Sequence, residues 1–392
     1  MAPCYNPGTV AEITHPSGVS PDISDTAGRE RNRYCRGAVQ GLMTIKDIAE
    51  MAHVSKGTVS RVINGVTGVG EETRRRVSKL IESLDFHPDA SARGLAARRT
   101  NTMGFVIPHT GKYTLTSTFW PAFLTVITQE AAARGINVLL STASSEDDVD
   151  SAFRSILRGR RIDGAVIGAE QFGQKQLAEL LVKNMPFVMV GKSPYGSSYY
   201  VDVDNALGAR MAGEHFVSHG HSRVAILAGP DSLPYVHDRV RGLVDVYREQ
   251  GLPDPVVVHC PYDTSDAMRC AHEVLQLLPA VTGIFVAAGD LVIGTLKACA
   301  ELGRSVPGDV SIVSFDDHPF FAHLSPGITA VAQPIDEIGA EAVKMLFELM
   351  AGREPERSFV IVPPRLVQRG SCAAPHGEKK PLVEGERIFQ GG

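Results

Sequence analysis

Apolar residues recur at helical spacing in three short segments that follow residue 43. The segments are TIKDIAEMA (44–52), VSKGTVSRVIN (54–64) and EETRRRVSKLIESL (71–84). Each places aliphatic residues on one face of a helix, and Thr44 with Asp47 fits a capping box at the start of the first helix. A tight turn at His53 joins the first two helices. The pattern therefore predicts a small all-α domain that contains a helix-turn-helix.

Beyond residue 100 the pattern changes to short, continuous apolar runs. Eight runs of five to eight residues begin at positions 103, 136, 163, 186, 223, 256, 283 and 310, and helical patterns of 10 to 20 residues separate most of them. Such alternation predicts βαβ units and parallel sheets that are covered on both faces. Because eight units exceed one ordinary sheet and YYVDVDN (199–205) interrupts the series, we predict an α/β body of two doubly wound lobes rather than one barrel.

These changes of pattern indicate where domains begin and end. Residues 1–42 hold Pro, Gly, Ser and Thr with little periodicity, and the last 20 residues are polar and Gly-rich. Both ends are expected to be disordered. The predicted organisation is an extension (1–42), a helix-turn-helix domain (43–89), a short helical linker (90–100), a two-lobed body (101–372) and a tail (373–392).

Composition narrows the class of protein. The 392 residues carry a formal charge of −5 and are 43% hydrophobic and 21% charged, which excludes a wholly disordered or uniformly basic chain. No apolar run approaches the ~18 residues of a membrane span, and the N-terminal residues lack the basic and apolar regions of a signal peptide. A soluble cytoplasmic protein that does not bind membranes is expected.

The chain offers no recognisable metal, cofactor or catalytic motif. Six cysteines are widely spaced without a CxxC pair, so reduced and mostly buried thiols are expected. His215, His219 and His221 crowd one segment, but the first two stand near a helix end, so no metal site is predicted. No GxSxG, P-loop, HExxH or GxGxxG motif follows a strand, so neither a cofactor nor enzymatic activity is expected.

Charge and spacing in the second helix point to DNA. Ten Lys or Arg and seven Asp or Glu lie between Met43 and Arg99, so this part carries +3 and the remainder −8. Lys56 and Gly57 occupy the first turn of the second helix, and Arg61 lies about one turn later. Basic side chains there can pair with guanine in the major groove, glycine permits close approach, and neighbouring hydroxyls suit phosphates.

A fourth short helical stretch, DASARGLAARRT (89–100), lies between the small domain and the body. Eight or nine residues are too few for a stable helix in water, so it is expected to order only when something packs against it. Ala92, Leu95 and Ala96 lie close on one side. An apolar side chain on a helix beside DNA can wedge into a minor-groove base step, and the alternative is a plain linker.

Together these segments resemble the lactose-repressor (LacI) family of bacterial transcription regulators, from residue 43 to about 372. The resemblance is carried by TIKDIAEMAHVSKGTVSRVING, EETRRRVSKLIESLDFHPDASARGLAARRT and the body's LAGP, FDD and LVQRGS. It implies a repressor that binds a near-palindromic operator as a homodimer, with a headpiece in the major groove, a hinge helix in the minor groove and a body like periplasmic sugar-binding proteins. The expected DNA-binding residues are Thr44, Ser55, Lys56, Gly57, Thr58, Arg61, Asn64 and Leu95.

The resemblance also places a small effector in the cleft between the lobes, at the carboxyl ends of strands. The expected effector-binding residues are Phe119, Trp120, Glu170, Arg239, Asp290, Asp316 and Gln333. Trp120 is the only tryptophan of the chain, and a sugar ring stacks well on tryptophan. Carboxylates and one arginine around aromatic rings favour a sugar, while a purine, nucleoside or other non-sugar effector stays open.

Several positions depart from the family pattern. Ala288 and Gly289 stand where the family has Asn-Asp after the strand GIFVA, so Asp290 is expected to supply the polar contact. His53 replaces the usual turn glycine at some backbone cost, and Gly70 stands where a capping serine is common. A stand-alone sugar-binding protein is the alternative architecture, but it would need a signal peptide and no headpiece.

Overall fold

The computed structural model describes most of the chain and divides it into two compact units. The described residues are 43–63, 65–84, 86, 99–107, 119–142, 161–169, 173–193, 195–196 and 199–375. The first unit ends at Arg93 and the second begins at Gly94. The predicted extension (1–42), the predicted linker as far as residue 98 and the predicted tail after residue 375 lie outside the described residues.

Three helices make up the described part of the first unit. They are α1 (Ile45–Met51), α2 (Lys56–Ile63) and α3 (Glu71–Ser83). Ile48 of α1, Val59 of α2 and Val77 of α3 are fully buried in one shared core. Because each helix buries one apolar stripe, its opposite face stays polar and exposed, as the helical spacing predicts.

Local polar contacts begin the first two helices. Thr44 Oγ1 accepts a hydrogen bond from Asp47 N at 3.4 Å, and the Asp47 carboxylate accepts one from Thr44 N at 2.7 Å, which completes the predicted capping box. Ser55 Oγ accepts from Thr58 N at 3.1 Å at the start of α2. Gly70 begins α3 without a side-chain cap from any described residue.

The turn between α1 and α2 is strained at one position. His53 has a φ of 52°, in the left-handed region that glycine adopts at little cost. Val54 N donates to Ala49 O at 3.0 Å, which closes the turn. The predicted backbone cost at His53 is therefore confirmed, whereas Gly65, after α2, adopts a φ of 67° without a side chain to strain.

Replacing Thr44 by alanine is expected to destabilise the first unit by about 1 kcal/mol, because the capping box loses its hydroxyl. Urea denaturation of the full chain, followed by the helical circular dichroism signal, measures the loss. Thr44→Ser is the matched control, since serine keeps the hydroxyl. Equal losses in the two variants would show that the hydroxyl contributes nothing to helix stability.

The second unit contains two α/β lobes. The first lobe begins with β1 (Thr102–Ile107), α4 (Phe119–Ala132), β2 (Asn137–Thr142), β3 (Gly164–Gly168), α5 (Gln174–Val182), β4 (Phe187–Val190) and β5 (Tyr200–Val203). The second lobe has α6 (Asn205–Ser218), β6 (Val224–Ala228), α7 (Pro234–Glu249), β7 (Val256–His259), α8 (Thr264–Leu277), β8 (Gly283–Val286), α9 (Val292–Glu301), β9 (Ser311–Phe315) and β10 (Thr329–Ala332). The remaining described elements are α10 (Ile335–Met350), β11 (Phe359–Val362), β12 (Arg365–Val367) and two 3₁₀ turns, Gly289–Leu291 and Pro319–His323. No described helix is both long and apolar enough to cross a bilayer.

Each lobe is built on one six-stranded sheet. The strand order is β11-β5-β4-β3-β1-β2 in the first lobe and β12-β10-β9-β8-β6-β7 in the second. The paired strands are parallel, except for β10 with β12. Strands β3, β6 and β9 are buried along their whole length, as expected where helices cover both faces of a sheet. The two doubly wound lobes predicted from the sequence are confirmed.

The chain crosses between the lobes three times. Helix α6 leads from β5 into the second lobe, α10 leads from β10 back to the first, and β12 returns to the second directly after β11. Residues 199–205, which the sequence suggested as an interruption, instead include strand β5 and the start of the first crossover. Their alternation of buried and half-buried positions, in place of a continuous apolar run, concealed the strand.

A partly buried ion pair between Arg369 and Asp317 holds the segment after β12 against the second lobe. Arg369 Nη1 and Nη2 donate to the two carboxylate oxygens of Asp317 at 2.7 and 2.9 Å. Nη1 also donates to Ile328 O at 2.7 Å. The FDD and LVQRGS segments, which carry part of the family resemblance, therefore meet in the structure through a bidentate pair.

Candidate functional site

The exposed face of α2 carries the basic residues predicted to read DNA. Val59 and Val62 are buried in the core of the unit, whereas Lys56, Gly57 and Arg61 are exposed. Positions three or four apart share a face of a helix, so residues 57 and 61 are neighbours on this surface. Both cations therefore lie outside the buried stripe of α2, on the surface that the other described helices leave exposed, as expected of a helix that enters the major groove.

None of the described neighbours of position 57 requires a glycine there. A β-carbon built there would meet only Ser55 Oγ, at an ordinary contact distance of 3.7 Å. Alanine in a helix interior is more favourable than glycine by about 1 kcal/mol. The exposed glycine leaves room for another molecule to approach the backbone closely.

The hydroxyl groups predicted to contact phosphates all take part in helix caps. Thr44 closes the capping box of α1, and Ser55 Oγ, which caps α2, lies 2.9 Å from Thr58 Oγ1. These caps define the amino ends of both helices, where the helix dipole and backbone N–H groups favour anions. Asn64 and Leu95, also predicted to contact DNA, lie outside the described residues.

A second group of predicted residues meets at the carboxyl ends of second-lobe strands. Arg239 projects from α7, Asp316 follows β9, and Gln333 follows β10. Arg239 Nη1 lies 3.8 Å from Asp316 Oδ2, and Gln333 Nε2 donates to Asp316 Oδ1 at 2.5 Å. The structure therefore joins three residues from three separate elements in one polar group.

Arg239 is only 5% exposed, and its guanidinium group is held by contacts on several sides. Nε donates to Asn205 Oδ1 at 2.8 Å, and Nη1 donates to Ala287 O at 2.7 Å. The guanidinium carbon lies 3.6 Å from the centre of the Phe315 ring and 4.8 Å from that of Tyr235. These contacts set the orientation of the planar donor group in advance, which lowers the entropy cost of binding a ligand.

Sequence reasoning missed two polar residues that connect Arg239 to the first lobe. Asn205, which is buried, opens α6, and its Nδ2 donates to Asp202 Oδ1 of β5 at 3.3 Å. The other Asp202 oxygen accepts from Lys192 N at 3.1 Å. Burial raises the pKa of Asp202 to about 6. The sequence signal that could have identified them is the group of polar residues, Asp202, Asp204 and Asn205, at the carboxyl end of β5.

The backbone around Asp316 is strained. Its φ of 74° lies in the left-handed region, which residues with side chains rarely adopt. Gly289 N donates weakly to Asp316 Oδ2 at 3.4 Å, and a β-carbon on Gly289 would collide with the ring of His318. Strained backbone of this kind tends to concentrate at functional sites, and here it lies beside the Arg239 group.

Asp290 lies next to this group, in the turn Gly289–Leu291 that follows β8. Burial, together with repulsion from the Asp316 carboxylate, raises the pKa of Asp290 to about 6. Its Oδ1 lies 3.8 Å from Nε2 of the buried His318. A carboxyl group therefore occupies the place after β8 where the resemblance leads us to expect a polar contact.

Asp290→Asn is expected to flatten the pH dependence of stability between about pH 4 and 6. An aspartate has a pKa of ~3.9 in the unfolded chain, whereas folding raises that of Asp290 to about 6. The folded state holds this proton more tightly, so its stabilisation is fully present below about pH 4 and is lost as the pH rises through about 6. Asp202 contributes with the same sign, so part of the slope remains.

Thermal unfolding of the wild type and of Asp290→Asn at several pH values tests this expectation. The unfolding midpoint of the wild type should fall more between pH 4 and 6 than that of the variant. Superimposable profiles would show that Asp290 titrates at the same pH in the folded and unfolded states.

The predicted aromatic residues lie at the start of α4, and the tryptophan is more enclosed than expected. Trp120 is 4% exposed and packs against the rings of Phe105, Phe119 and Phe123, with centroid distances of 5.0 to 6.2 Å. This geometry does not support stacking of a sugar on Trp120. Phe119 is the more accessible ring, because it is half-buried. Glu170 lies outside the described residues.

Comparison with known proteins matches both parts of the chain. Residues 44–89 match the family model of bacterial regulatory proteins of the lacI family, and residues 214–372 match that of the periplasmic binding protein-like domain. The chain is 28% identical to the ribose operon repressor of Halalkalibacterium halodurans over 328 residues, which cover 84% of this chain and 96% of the repressor. It is 29% identical to catabolite control protein A of Priestia megaterium over 333 residues, which cover 84% and 99% of the two chains. The solved complex of the transcriptional regulator CelR with cellobiose aligns with a TM-score of 0.66 at 27% identity and covers 84% and 99% of the two chains.

Two family models thus match the chain in the expected order, and the relatives align over nearly their whole length. The chain belongs to the LacI family. As a LacI-family protein it is a DNA-binding transcriptional regulator, which confirms the function predicted from the sequence. These relatives are regulators rather than enzymes, again as predicted. The lacI-family match in residues 44–89 excludes the alternative of a stand-alone sugar-binding protein.

Proposed function

We propose that this LacI-family protein is a cytoplasmic repressor that binds a near-palindromic operator as a homodimer and is controlled by a sugar held between the lobes of its body. The observation that carries the proposal is the buried Arg239 group. It lies where the carboxyl ends of second-lobe strands meet the first crossover, and Asn205 links it to Asp202 of the first lobe. Ligands of doubly wound sheets bind at such strand ends.

Reading of the operator is assigned to the exposed face of α2. Lys56 and Arg61 supply the donors that pair with guanine O6 and N7, and Gly57 lets the backbone approach the groove. The capped amino ends of α1 and α2, with Thr44, Ser55 and Thr58, lie against phosphates. Residues 43–99 carry a net charge of +3, whereas the whole chain carries −5. The DNA phosphates therefore attract this part of the protein and repel the rest.

The homodimer follows from the small reading surface of one headpiece. Two basic side chains on one short helix distinguish only a few base pairs, which is too little to select a site in a genome. Two headpieces joined by their bodies read two half-sites, and a twofold axis makes those half-sites an inverted repeat. We assign residues 43–89 to the headpiece, 90–100 to the linker and 101–372 to the body that dimerises.

A sugar is the effector class that best fits the polar groups of the site. Arg239 and Gln333 bring donors, and Asp290 and Asp316 bring carboxylates, which together complement hydroxyls that both donate and accept. The Phe119 ring at the start of α4 offers an apolar surface for the face of a pyranose or furanose. Two of the relatives carry a sugar in their names, as the ribose operon repressor and as the cellobiose complex.

Control of DNA binding is assigned to relative movement of the lobes. A ligand that contacts Arg239 in the second lobe and Phe119 in the first favours one arrangement of the two lobes over others. The linker (90–100), including Leu95 as the proposed minor-groove wedge, joins the body to the headpiece and transmits this preference to the operator. The coupling is reciprocal and is typically ~1–3 kcal/mol.

The DNA half of the proposal is tested by selecting binding sites from random duplexes with the full chain. We expect the enriched sequences to share an inverted repeat, with half-sites one or more helical turns apart. Light scattering of the protein on the selected duplex should give two chains per duplex. Recovery of single, unrepeated sites would overturn the dimeric reading.

The effector half is tested with a panel of pentoses, hexoses, disaccharides, nucleosides and purines. Ligand at ~100 times its Kd stabilises a protein by ~2.7 kcal/mol, which thermal unfolding detects. Trp120, the only tryptophan, packs against Phe119, so its fluorescence should report ligand arrival directly. Binding of a nucleoside or purine, with no response to any sugar, would overturn the sugar assignment and leave the DNA assignment intact.

A further inference from the structure

Three potential metal ligands from two distant parts of the chain meet at the far end of α6. His215 lies in the last turn of this helix, His219 caps it, and Cys372 comes from the segment after β12. One ligand atom from each of the three residues lies within 4.8 Å of the other two. From the geometry we infer that His215, His219 and Cys372 form a binding site for a zinc-type divalent cation.

The two histidine rings are prepared for coordination in different ways. His219 Nδ1 lies 2.8 Å from His215 O, so a proton on Nδ1 leaves the lone pair on Nε2 to face a metal ion. A backbone carbonyl that receives the second ring N–H is the usual partner of a metal-bound histidine. His215 is 7% exposed, and no described group forms a hydrogen bond with its buried Nε2. A buried polar atom of this kind costs free energy unless a ligand satisfies it.

The third ligand is held in place by its neighbours on both sides. Ser371 Oγ donates to Ile312 O at 2.6 Å, and Ala373 N donates to Ser311 Oγ at 3.1 Å. These contacts fix the backbone around Cys372, whose side chain is buried in the body. The folded chain therefore fixes the backbone that carries the third ligand, and a water molecule would complete a tetrahedral zinc ion.

The donor set selects the class of metal ion. Two imidazoles and one thiolate suit Zn²⁺, whereas Mg²⁺ and Ca²⁺ prefer oxygen ligands. In a tetrahedral zinc site the ligand atoms would be roughly 3.5 Å apart, so the group has to close by about 1 Å. His219 can make this movement because it is half-buried at a helix end. On coordination the Cys372 thiol releases its proton to solvent and binds as thiolate.

His221 is excluded from the site although it is close in sequence. Its Nδ1 lies 2.8 Å from Thr282 Oγ1 and its Nε2 lies 2.9 Å from Ala373 O, so both ring nitrogens are engaged. The site is also separate from the effector group. Asn205, which binds Arg239, opens α6, and His219 lies 14 residues further on, so roughly 20 Å of helix separates the two.

The test uses the untagged full chain after treatment with a chelator. Titration with Co²⁺ should produce the near-ultraviolet sulfur-to-cobalt charge-transfer band and the intense visible bands of tetrahedral cobalt, and Zn²⁺ should displace both. Cys372→Ser should abolish the charge-transfer band. His219→Ala should weaken cobalt binding by at least the roughly 10- to 100-fold that loss of even an outer-shell partner costs.

Matched controls distinguish this site from other thiols and imidazoles of the body. Cys299→Ser removes a buried thiol of the same lobe, and His272→Ala removes a histidine that pairs with Glu301, so both should bind Co²⁺ like the wild type. Because His219 is half-buried, its alanine variant keeps the test valid even if Cys372→Ser fails to fold. A wild-type chain without the charge-transfer band, or a folded Cys372→Ser chain that retains it, would overturn the inference.

Discussion

Arg239→Ala is expected to destabilise the body by roughly 3–5 kcal/mol, the cost of removing one partner of a buried charged pair. The substitution leaves Asp316, Asn205 Oδ1 and Ala287 O without the guanidinium that they contact in the folded chain. It also removes the cation that lies 3.6 Å from the Phe315 ring. Urea denaturation of the wild type and variant measures the difference.

Arg241→Ala is the matched control for stability. It lies on the same helix, but its side chain is 63% exposed and, among the described residues, pairs with Asp238 at i−3. Surface pairs of this kind contribute little, so the loss should stay within about 0.5 kcal/mol. A similar loss of unfolding free energy in the two variants would show that the buried contacts of Arg239 contribute no more to stability than a surface ion pair.

Arg239→Lys distinguishes a role of Arg239 in effector binding from its role in folding. Lysine keeps the charge but loses the planar fork that contacts Asn205 and Ala287 together, so we expect a folded protein whose operator affinity no longer changes with effector. Operator titrations of wild type and variant, with and without the sugar that stabilises the wild type, provide the measurement. A full response in the lysine variant would contradict the proposed site.

Arg61→Ala is expected to weaken operator binding by ~1–3 kcal/mol and to relax specificity at one base step. Arg61 is exposed on α2, and its substitution removes no buried contact, so the headpiece should remain folded. The lost energy then reports a missing base contact rather than unfolding. Affinities for the selected operator and for a set of single-base variants measure both the loss and the change in specificity.

Arg75→Ala provides the comparison for this second prediction. Arg75 is exposed on α3, outside the helix that is proposed to read base edges, so we expect it to contact phosphates or solvent only. Its removal should weaken binding to all sequences alike and reduce the slope of log affinity against log salt by about 1. If Arg61→Ala behaves like Arg75→Ala, with unchanged preference between operator variants, the assignment of α2 as the reading helix is wrong.

The headpiece was predictable because its determinants are local. The capping box, the buried stripe and the left-handed turn at His53 all involve residues within a few positions of each other. The βαβ alternation likewise identified eight of the strands, since a continuous apolar run marks a strand covered on both faces. Strand β5 was not identified because its pattern alternates, and β10, β11 and β12 lay outside the eight apolar runs on which the prediction was based.

The body's candidate sites were only partly predictable. Arg239, Asp316 and Gln333 were named from the family resemblance, and the structure brings them together. The structure alone showed that Asn205 joins Arg239 to the first lobe. It also showed that Trp120 is enclosed by phenylalanine rings, because the residues that cover a side chain come from other elements.

The sequence by itself determined the helix-turn-helix, the two α/β lobes that follow it and the chemistry of the residues that can serve each site. Only the tertiary structure decided which of those residues meet. His215 and His219 looked like an ordinary helix end, and Cys372 looked like one more buried thiol, until the last crossover placed them side by side. The physical reason is that hydrophobic periodicity and capping act over a few residues, whereas strand order and crossovers bring together side chains that are far apart along the chain.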